Sequence, residues 1–166
     1  MESEVKNLYS CLEEQLKFYR ELGRLLREKQ ESIVKNDLSA LEKITTSEKE
    51  LIAVLSSLEL KRQEYAVALA RGLGLEDEEV TVSSLLAELP ENLKLAGEEL
   101  VKELSFVLAE VSQLNKTNNE LLEASLRFIN YSIQLFTQSG SAGHLYDKDG
   151  KMPEKEINRS FLDRKA

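Results

Sequence analysis

The sequence predicts an all-α fold: an antiparallel hairpin of two long helices, a third long helix that completes a bundle or coiled coil, and a flexible C-terminal tail. Three observations predict it. Leu, Glu, Lys and Ala are abundant, and apolar residues recur at alternating steps of three and four. Helix-breaking residues divide the chain. We therefore expect one helical domain over residues 1–138 and a tail over 139–166.

The first helix is expected from about Ser3 to Lys35. Its heptad-like seam skips two steps, which are occupied by Gln15 and Lys29. The seam consists of Leu8, Leu12, Tyr19, Leu22, Leu26 and Ile33. Further apolar side chains widen this stripe, which is typical of a helix that packs against two neighbours.

The second helix is expected from about Leu38 to Arg71, with Asp37 as its N-cap. Glu48 and Arg62 occupy two of its seam positions. The apolar seam positions are Leu41, Ile44, Leu51, Leu55, Leu58, Tyr65 and Leu69. Two helices of equal length, joined by a tight break, predict an antiparallel hairpin.

The connector after this hairpin begins with Gly72-Leu73-Gly74, which supplies a helix end. An acidic stretch follows, and then Thr81 or Ser83 is expected to cap a short helix over Ser84–Leu89. Pro90 ends that short helix.

The third long helix is expected from about Glu91 to Gln138, where Ser139-Gly140-Ser141-Ala142-Gly143 breaks it. Its apolar seam drifts around the helix, which predicts different neighbours for its two halves. At about 48 residues it would be near 70 Å long. Because the hairpin helices are shorter, we expect part of its apolar face to extend past them.

Charge and composition exclude several classes of partner. The net charge is −8 and the pI is near 4.9, so binding to nucleic acid or to anionic membranes is not expected. The N-terminus does not resemble a signal peptide, and no apolar run approaches the roughly 18 residues of a membrane span. Cys11, the single cysteine, is interpreted as a small buried hydrophobe, which suits a reducing cytoplasm.

No catalytic, cofactor or metal site is predicted. His144 is the one histidine and falls in the expected tail, away from any nucleophile. A calcium loop starting at Asp147 fails, because its sixth and twelfth positions hold Met152 and Asn158 rather than Gly and Glu. The chain is therefore interpreted as a protein that is not an enzyme.

Two features of the third helix leave alternatives open. Asn115, Asn118 and Asn119 lie in mid-helix, where asparagine sets register across a seam, occupies an exposed polar position or contacts a partner. The apolar stretch Leu121–Phe136 is either a core stripe or a protein-binding face.

Several stretches resemble the FlgN-like flagellar export chaperones. They include DLSALEKITTSEKELI at Asp37–Ile52, LELKR at Leu58–Arg62 and, more specifically, LNKTNNELLEASLRFINYSIQLF at Leu114–Phe136. In the tail, YDKDG at Tyr146–Gly150 and the terminal FLDRKA are also similar.

The resemblance implies a cytoplasmic chaperone. Its clients would be hook-associated proteins, which form the hook–filament junction and have aggregation-prone helical termini. It would deliver them to components of the flagellar type III export apparatus. It also implies that the C-terminal part binds the client. We predict the partner contacts to be Asn115, Asn118, Leu121, Leu122, Leu126, Ile129, Ile133 and Phe136.

Two other functions compete with this prediction. A structural coiled-coil subunit would use all its seams in self-assembly. A four-helix-bundle adaptor for phosphotransfer would need a histidine on a helix, whereas His144 lies in the expected tail. The possibility of self-association thus stays open beside the chaperone hypothesis.

Overall fold

The computed structural model describes residues 2–75 and 81–142, with side chains described through Thr137. Within these ranges the chain forms four α-helices and no strand, which confirms the all-α prediction. The helices are α1 Glu2–Lys35, α2 Leu38–Leu73, α3 Val82–Ala87 and α4 Glu91–Ala142. The chain divides into two compact units, residues 1–123 and a second unit that begins at Ala124.

The turn between α1 and α2 uses both residues of the predicted break. Asn36 adopts a left-handed φ of 58°, a conformation that asparagine tolerates better than most residues. The Asp37 carboxylate accepts a hydrogen bond from the Ala40 amide at 3.0 Å. Asp37 is therefore the N-cap of α2, as predicted, and the chain reverses within two residues.

Polar side chains fill the steps that the apolar seams skip. Lys29 Nζ lies 2.8 Å from Glu48 Oε2, and each side chain is only 13% exposed. Gln15 Nε2 donates to Glu59 Oε2 at 3.2 Å, and Arg62 pairs with the same carboxylate. Since an early residue of α1 faces a late residue of α2, these pairs also establish the antiparallel direction of the hairpin.

One core cluster joins all four helices at the end of the hairpin that holds the N-terminus of α1. Its buried members are Val5, Leu8, Leu12, Ala66, Leu69, Ala70, Leu85, Leu86 and Leu89. Leu93, Val101 and Leu104 of α4 pack against it. The short helix α3 therefore contributes to the core, although it is only six residues long.

Thr81, one of the two caps expected for α3, is the N-cap of this helix. Thr81 Oγ1 accepts from the Ser84 amide, and Ser84 Oγ accepts from the Thr81 amide, each at 3.1 Å. This reciprocal pair is a capping box. It starts the helix at Val82, two residues earlier than the sequence suggested, and the helix ends at Ala87.

A second core cluster lies nearer the hairpin turn, between α1 and α2. Its buried members are Leu22, Leu25, Leu26, Leu51 and Leu55. Val111 and Leu114 of α4 pack against it, half-buried. The aliphatic character of both clusters follows from the small number of large aromatic residues in the chain.

The predicted end of the third long helix at Gln138 is four residues short. The helix continues through Ser139, Gly140 and Ser141 to Ala142. One glycine inside a helix costs only about 1 kcal/mol relative to alanine, so it weakens the helix without ending it. The predicted flexible tail beyond Ala142 lies outside the described residues.

Candidate partner-binding site

Asn118, one of the predicted contacts, lies inside the first unit. Its side chain is 0% exposed, and Nδ2 donates to the Leu26 carbonyl oxygen of α1 at 2.8 Å. No protein hydrogen-bond partner reaches its Oδ1. A buried amide that bonds a particular carbonyl fixes the position of α4 along α1, which is the register role considered from the sequence.

The neighbouring predicted contacts differ from Asn118 in exposure. Asn115 is exposed, whereas Leu121 and Leu122 are half-buried. These differences do not test whether a partner touches them, so their role in binding stays a prediction.

The remaining four predicted contacts form an exposed stripe on the late part of α4. We call Leu126, Ile129, Ile133 and Phe136 the isoleucine stripe. Their exposed fractions lie between 47% and 79%. With about 100° of rotation per residue, these four positions share one side of the helix. Large apolar side chains are thus presented to solvent.

A second exposed stripe, which the sequence analysis missed, lies on the same part of α4. We call Phe128, Tyr131 and Leu135 the aromatic stripe; their exposed fractions lie between 47% and 71%. Their i, i+3, i+7 spacing is a helical signal in its own right. Its steps overlap those of the isoleucine stripe along the chain, so a single continuous seam does not include it.

The late part of α4 carries almost no charge. Between residues 124 and 137 the sequence holds one charged residue, Arg127. By helical rotation Arg127 shares a third side of the helix with Asn130, Gln134 and Thr137. The polar residues therefore leave both stripes uninterrupted by charge.

Two hydroxyl groups in this segment are already hydrogen-bonded to the helix backbone. Ser132 Oγ donates to the Phe128 carbonyl oxygen at 2.9 Å, and Thr137 Oγ1 donates to that of Ile133 at 3.0 Å. Covering these side chains with a partner would leave neither hydroxyl proton without an acceptor.

Groups that could support chemistry are few among the residues described. Cys11 is buried, its Sγ donates to the Leu58 carbonyl oxygen at 3.4 Å, and burial raises the pKa of its thiol. In the described ranges, no group of three or more His, Cys, Asp or Glu is arranged to hold a metal ion. His144 and the loop at Asp147–Gly150 lie outside those ranges. None of the described helices is both long and apolar enough to cross a membrane.

The comparison with protein families gives a clear result. The family model described as FlgN protein matches residues 1–154, which is most of the chain. No curated protein and no solved structure matches it significantly. The family is one of chaperones and is not known for catalysis. The chain therefore belongs to the FlgN family of flagellar export chaperones.

Proposed function

We propose that this protein is a cytoplasmic chaperone that binds the helical termini of flagellar hook–filament junction proteins. It prevents their aggregation and delivers them to the flagellar export gate. Membership of the FlgN family supports the general role. The choice of client and of binding surface is our proposal. The choice of client follows from the resemblance to flagellar export chaperones, and the exposed late part of α4 supports the choice of surface.

The observation that carries the proposal is the exposure of the isoleucine stripe. Monomeric soluble proteins rarely leave contiguous large apolar patches uncovered unless these serve binding. Here four large apolar side chains follow one another on one side of α4. An amphipathic client helix laid along the stripe would cover them, as in other helix-in-groove complexes.

The chemistry of the stripe also indicates the kind of client. Because no charged side chain interrupts it, a matching helix needs an apolar face and no compensating charge along that face. Burying such a face removes the apolar surface through which the free client would aggregate. The asparagines have auxiliary roles in the proposal: Asn118 holds α4 in register on α1, and Asn115 adds a polar contact.

Release needs no chemical step. A complex held by apolar contacts dissociates and reforms, so a component of the export apparatus that binds the client can compete for it. Handover then depends on the difference between two affinities.

The proposal is tested by the double substitution Ile129→Ala with Ile133→Ala, assayed against a purified junction protein of the same flagellar system. Each substitution removes about three carbon groups, at roughly 0.8 kcal/mol for each buried CH₂. Since about 1.4 kcal/mol changes an equilibrium constant tenfold, we expect the Kd to rise at least tenfold.

The matched control is Leu60→Ala with Val67→Ala on α2. These side chains are 64% and 45% exposed, close to those of the isoleucine stripe, but they lie on the outer side of the hairpin. The control variant should bind with unchanged affinity, and circular dichroism should show both variants fully helical. Equal affinities for wild type and the isoleucine-stripe variant would place the client elsewhere.

The competing hypothesis, self-assembly, is decided by the same variants. A structural coiled-coil protein that uses this stripe for its own assembly would be oligomeric without client. Sedimentation would then show the isoleucine-stripe variant dissociating, with no effect on junction-protein binding. That outcome would contradict the chaperone proposal for this surface.

A further inference from the structure

We propose that the aromatic stripe is a second docking surface. The client then binds late α4 with two of its helices, one on the isoleucine stripe and one on the aromatic stripe. This inference rests on the proposed function, because it takes the client to be the partner of the isoleucine stripe. It adds the number of client helices and the surface that each one occupies.

The argument begins with the angle between the two stripes. At about 100° per residue, the centres of the isoleucine and aromatic stripes lie roughly 150° apart around the helix. The apolar stripe by which a helix packs on a neighbour is on the order of 100° wide. One docked helix therefore covers one stripe and leaves the other exposed to water.

The region between the stripes is suited to burial. Ser125 and Ser132 lie there by helical rotation, and Ser132 Oγ already donates to the Phe128 carbonyl oxygen. Two client helices that meet over these serines bury only small side chains there. At Ser132 the hydroxyl proton keeps its acceptor when it is buried. The side that holds Arg127, Asn130 and Gln134 stays in water.

Charge favours the client over a second copy of this chain as the occupant. Residues 1–123 contain 25 acidic and 15 basic residues, a net charge of −10. A second copy brings the same negative charge and is repelled, whereas a client helix with a basic outer face is attracted. We therefore assign to the aromatic stripe a client helix with an apolar inner face and basic residues on its outer face.

The test compares Phe128→Ala with Leu135→Ala, as one double variant, with the isoleucine-stripe variant described above. Both are made in the full chain and titrated with the same purified junction protein. We expect each variant alone to raise the Kd at least tenfold, because each removes apolar contacts with one client helix. Wild-type affinity should also fall as salt is raised, because the attraction to basic residues is screened.

The outcomes separate this inference from the proposed function. If the isoleucine-stripe variant is weakened and the aromatic-stripe variant is not, the second helix does not exist and the proposed function stands. If neither variant is weakened, both proposals fail.

Two further results of the same titration would also overturn the inference by naming another occupant. Tighter binding by the aromatic-stripe variant would mean that the chain beyond Ala142 covers the stripe. Unchanged binding combined with loss of a dimer in sedimentation would assign the stripe to a second copy.

Discussion

The early and late parts of α4 carry similar apolar patterns but differ in how much of the apolar surface is buried. In the early part, Tyr9 Oη donates to the Leu93 carbonyl oxygen at 2.8 Å, Gly97 lies against α1 and α3, and Asn118 is fully buried. In residues 124–137, seven large apolar side chains are exposed and one charge is present. The difference teaches that helical periodicity identifies an apolar face without saying whether the chain or a partner covers it.

The largest effect on the packing of early α4 is expected from a substitution at Gly97. A Cβ added there would overlap Leu86 Cδ2 and Tyr9 Oη, and it would lie 2.8 Å from Tyr9 Cζ. Leu86 is buried, and moving the Tyr9 hydroxyl disturbs its hydrogen bond to the Leu93 carbonyl oxygen, so relieving the overlap has a cost. We expect Gly97→Ala to lower the free energy of unfolding by roughly 1–3 kcal/mol, measured by urea denaturation.

Gly23→Ala is the matched control for this substitution. A Cβ at Gly23 meets only Val111 Cγ2, at an ordinary 3.7 Å. Because alanine favours a helix interior over glycine, this variant should be unchanged or more stable by up to about 1 kcal/mol. Equal losses in the two variants would show that close packing at Gly97 is not what holds early α4.

The ion pairs provide a second comparison, which sharpens what holds α4 to α1. Lys29–Glu48 joins α1 to α2 and is largely buried, whereas Arg20–Glu103 joins α1 to α4 at the surface. Glu48→Ala leaves a poorly solvated ammonium group and should cost about 1–3 kcal/mol. Glu103→Ala should cost at most about 0.5 kcal/mol. A larger loss for Glu103→Ala would mean that ion pairs, rather than packing, hold α4.

Asn118→Leu should change stability by about 1 kcal/mol in the stabilising direction. The substitution removes a buried Oδ1 that no protein donor satisfies, and that gain exceeds the value of one neutral hydrogen bond to Leu26. The expected cost is in specificity, because the register contact is lost. Destabilisation by more than 1 kcal/mol in thermal or urea unfolding would show that the asparagine is a net stabiliser of the bundle.

Lowering the pH should slightly destabilise the first unit through Glu59. Hydrogen bonds from Arg62, Gln63 and Gln15 lower the pKa of Glu59 from 4.5 to about 2. Because the folded-state pKa is depressed, this stabilisation is complete above about pH 4.5 and is lost as the pH falls toward 2. The carboxylate is partly exposed, so solvent screening limits the effect to on the order of 1 kcal/mol.

The test is Glu59→Gln, which should flatten the stability of the first unit between pH 4.5 and 2. Residues 124–137 contain no acidic side chain, so they contribute nothing directly to this dependence. An unchanged pH profile in the variant would show that Glu59 is not the group responsible.

Local signals in the sequence were sufficient for the hairpin and for the existence of α3, but not for the burial of α3 or for the close packing at Gly97. Asp37 as N-cap and the seams of α1 and α2 follow from periodicity and capping chemistry alone. The burial of Leu85 and Leu86 depends on three other helices, so no pattern within six residues reveals it. Gly97 likewise reads as a tolerated glycine until Tyr9 and Leu86 are seen against it.

The candidate site was predictable only in part, and for a related reason. The isoleucine stripe continues the apolar seam of α4, so following that seam was enough to select its residues. The aromatic stripe was missed because a second set of steps overlaps the first. Burial of Asn118 against Leu26 depends on the packing of α4 on α1, which asparagine spacing alone does not determine.

The most direct test of the central claim is amide hydrogen exchange on the full chain, free and bound to a purified junction protein. Binding to late α4 predicts slower exchange over residues 124–137 in the complex, because a covered helix opens less often. Exchange over the outer side of α2, around residues 52–67, should be unchanged. Slower exchange on α2 with no change over 124–137 would contradict the account and move the client to the hairpin.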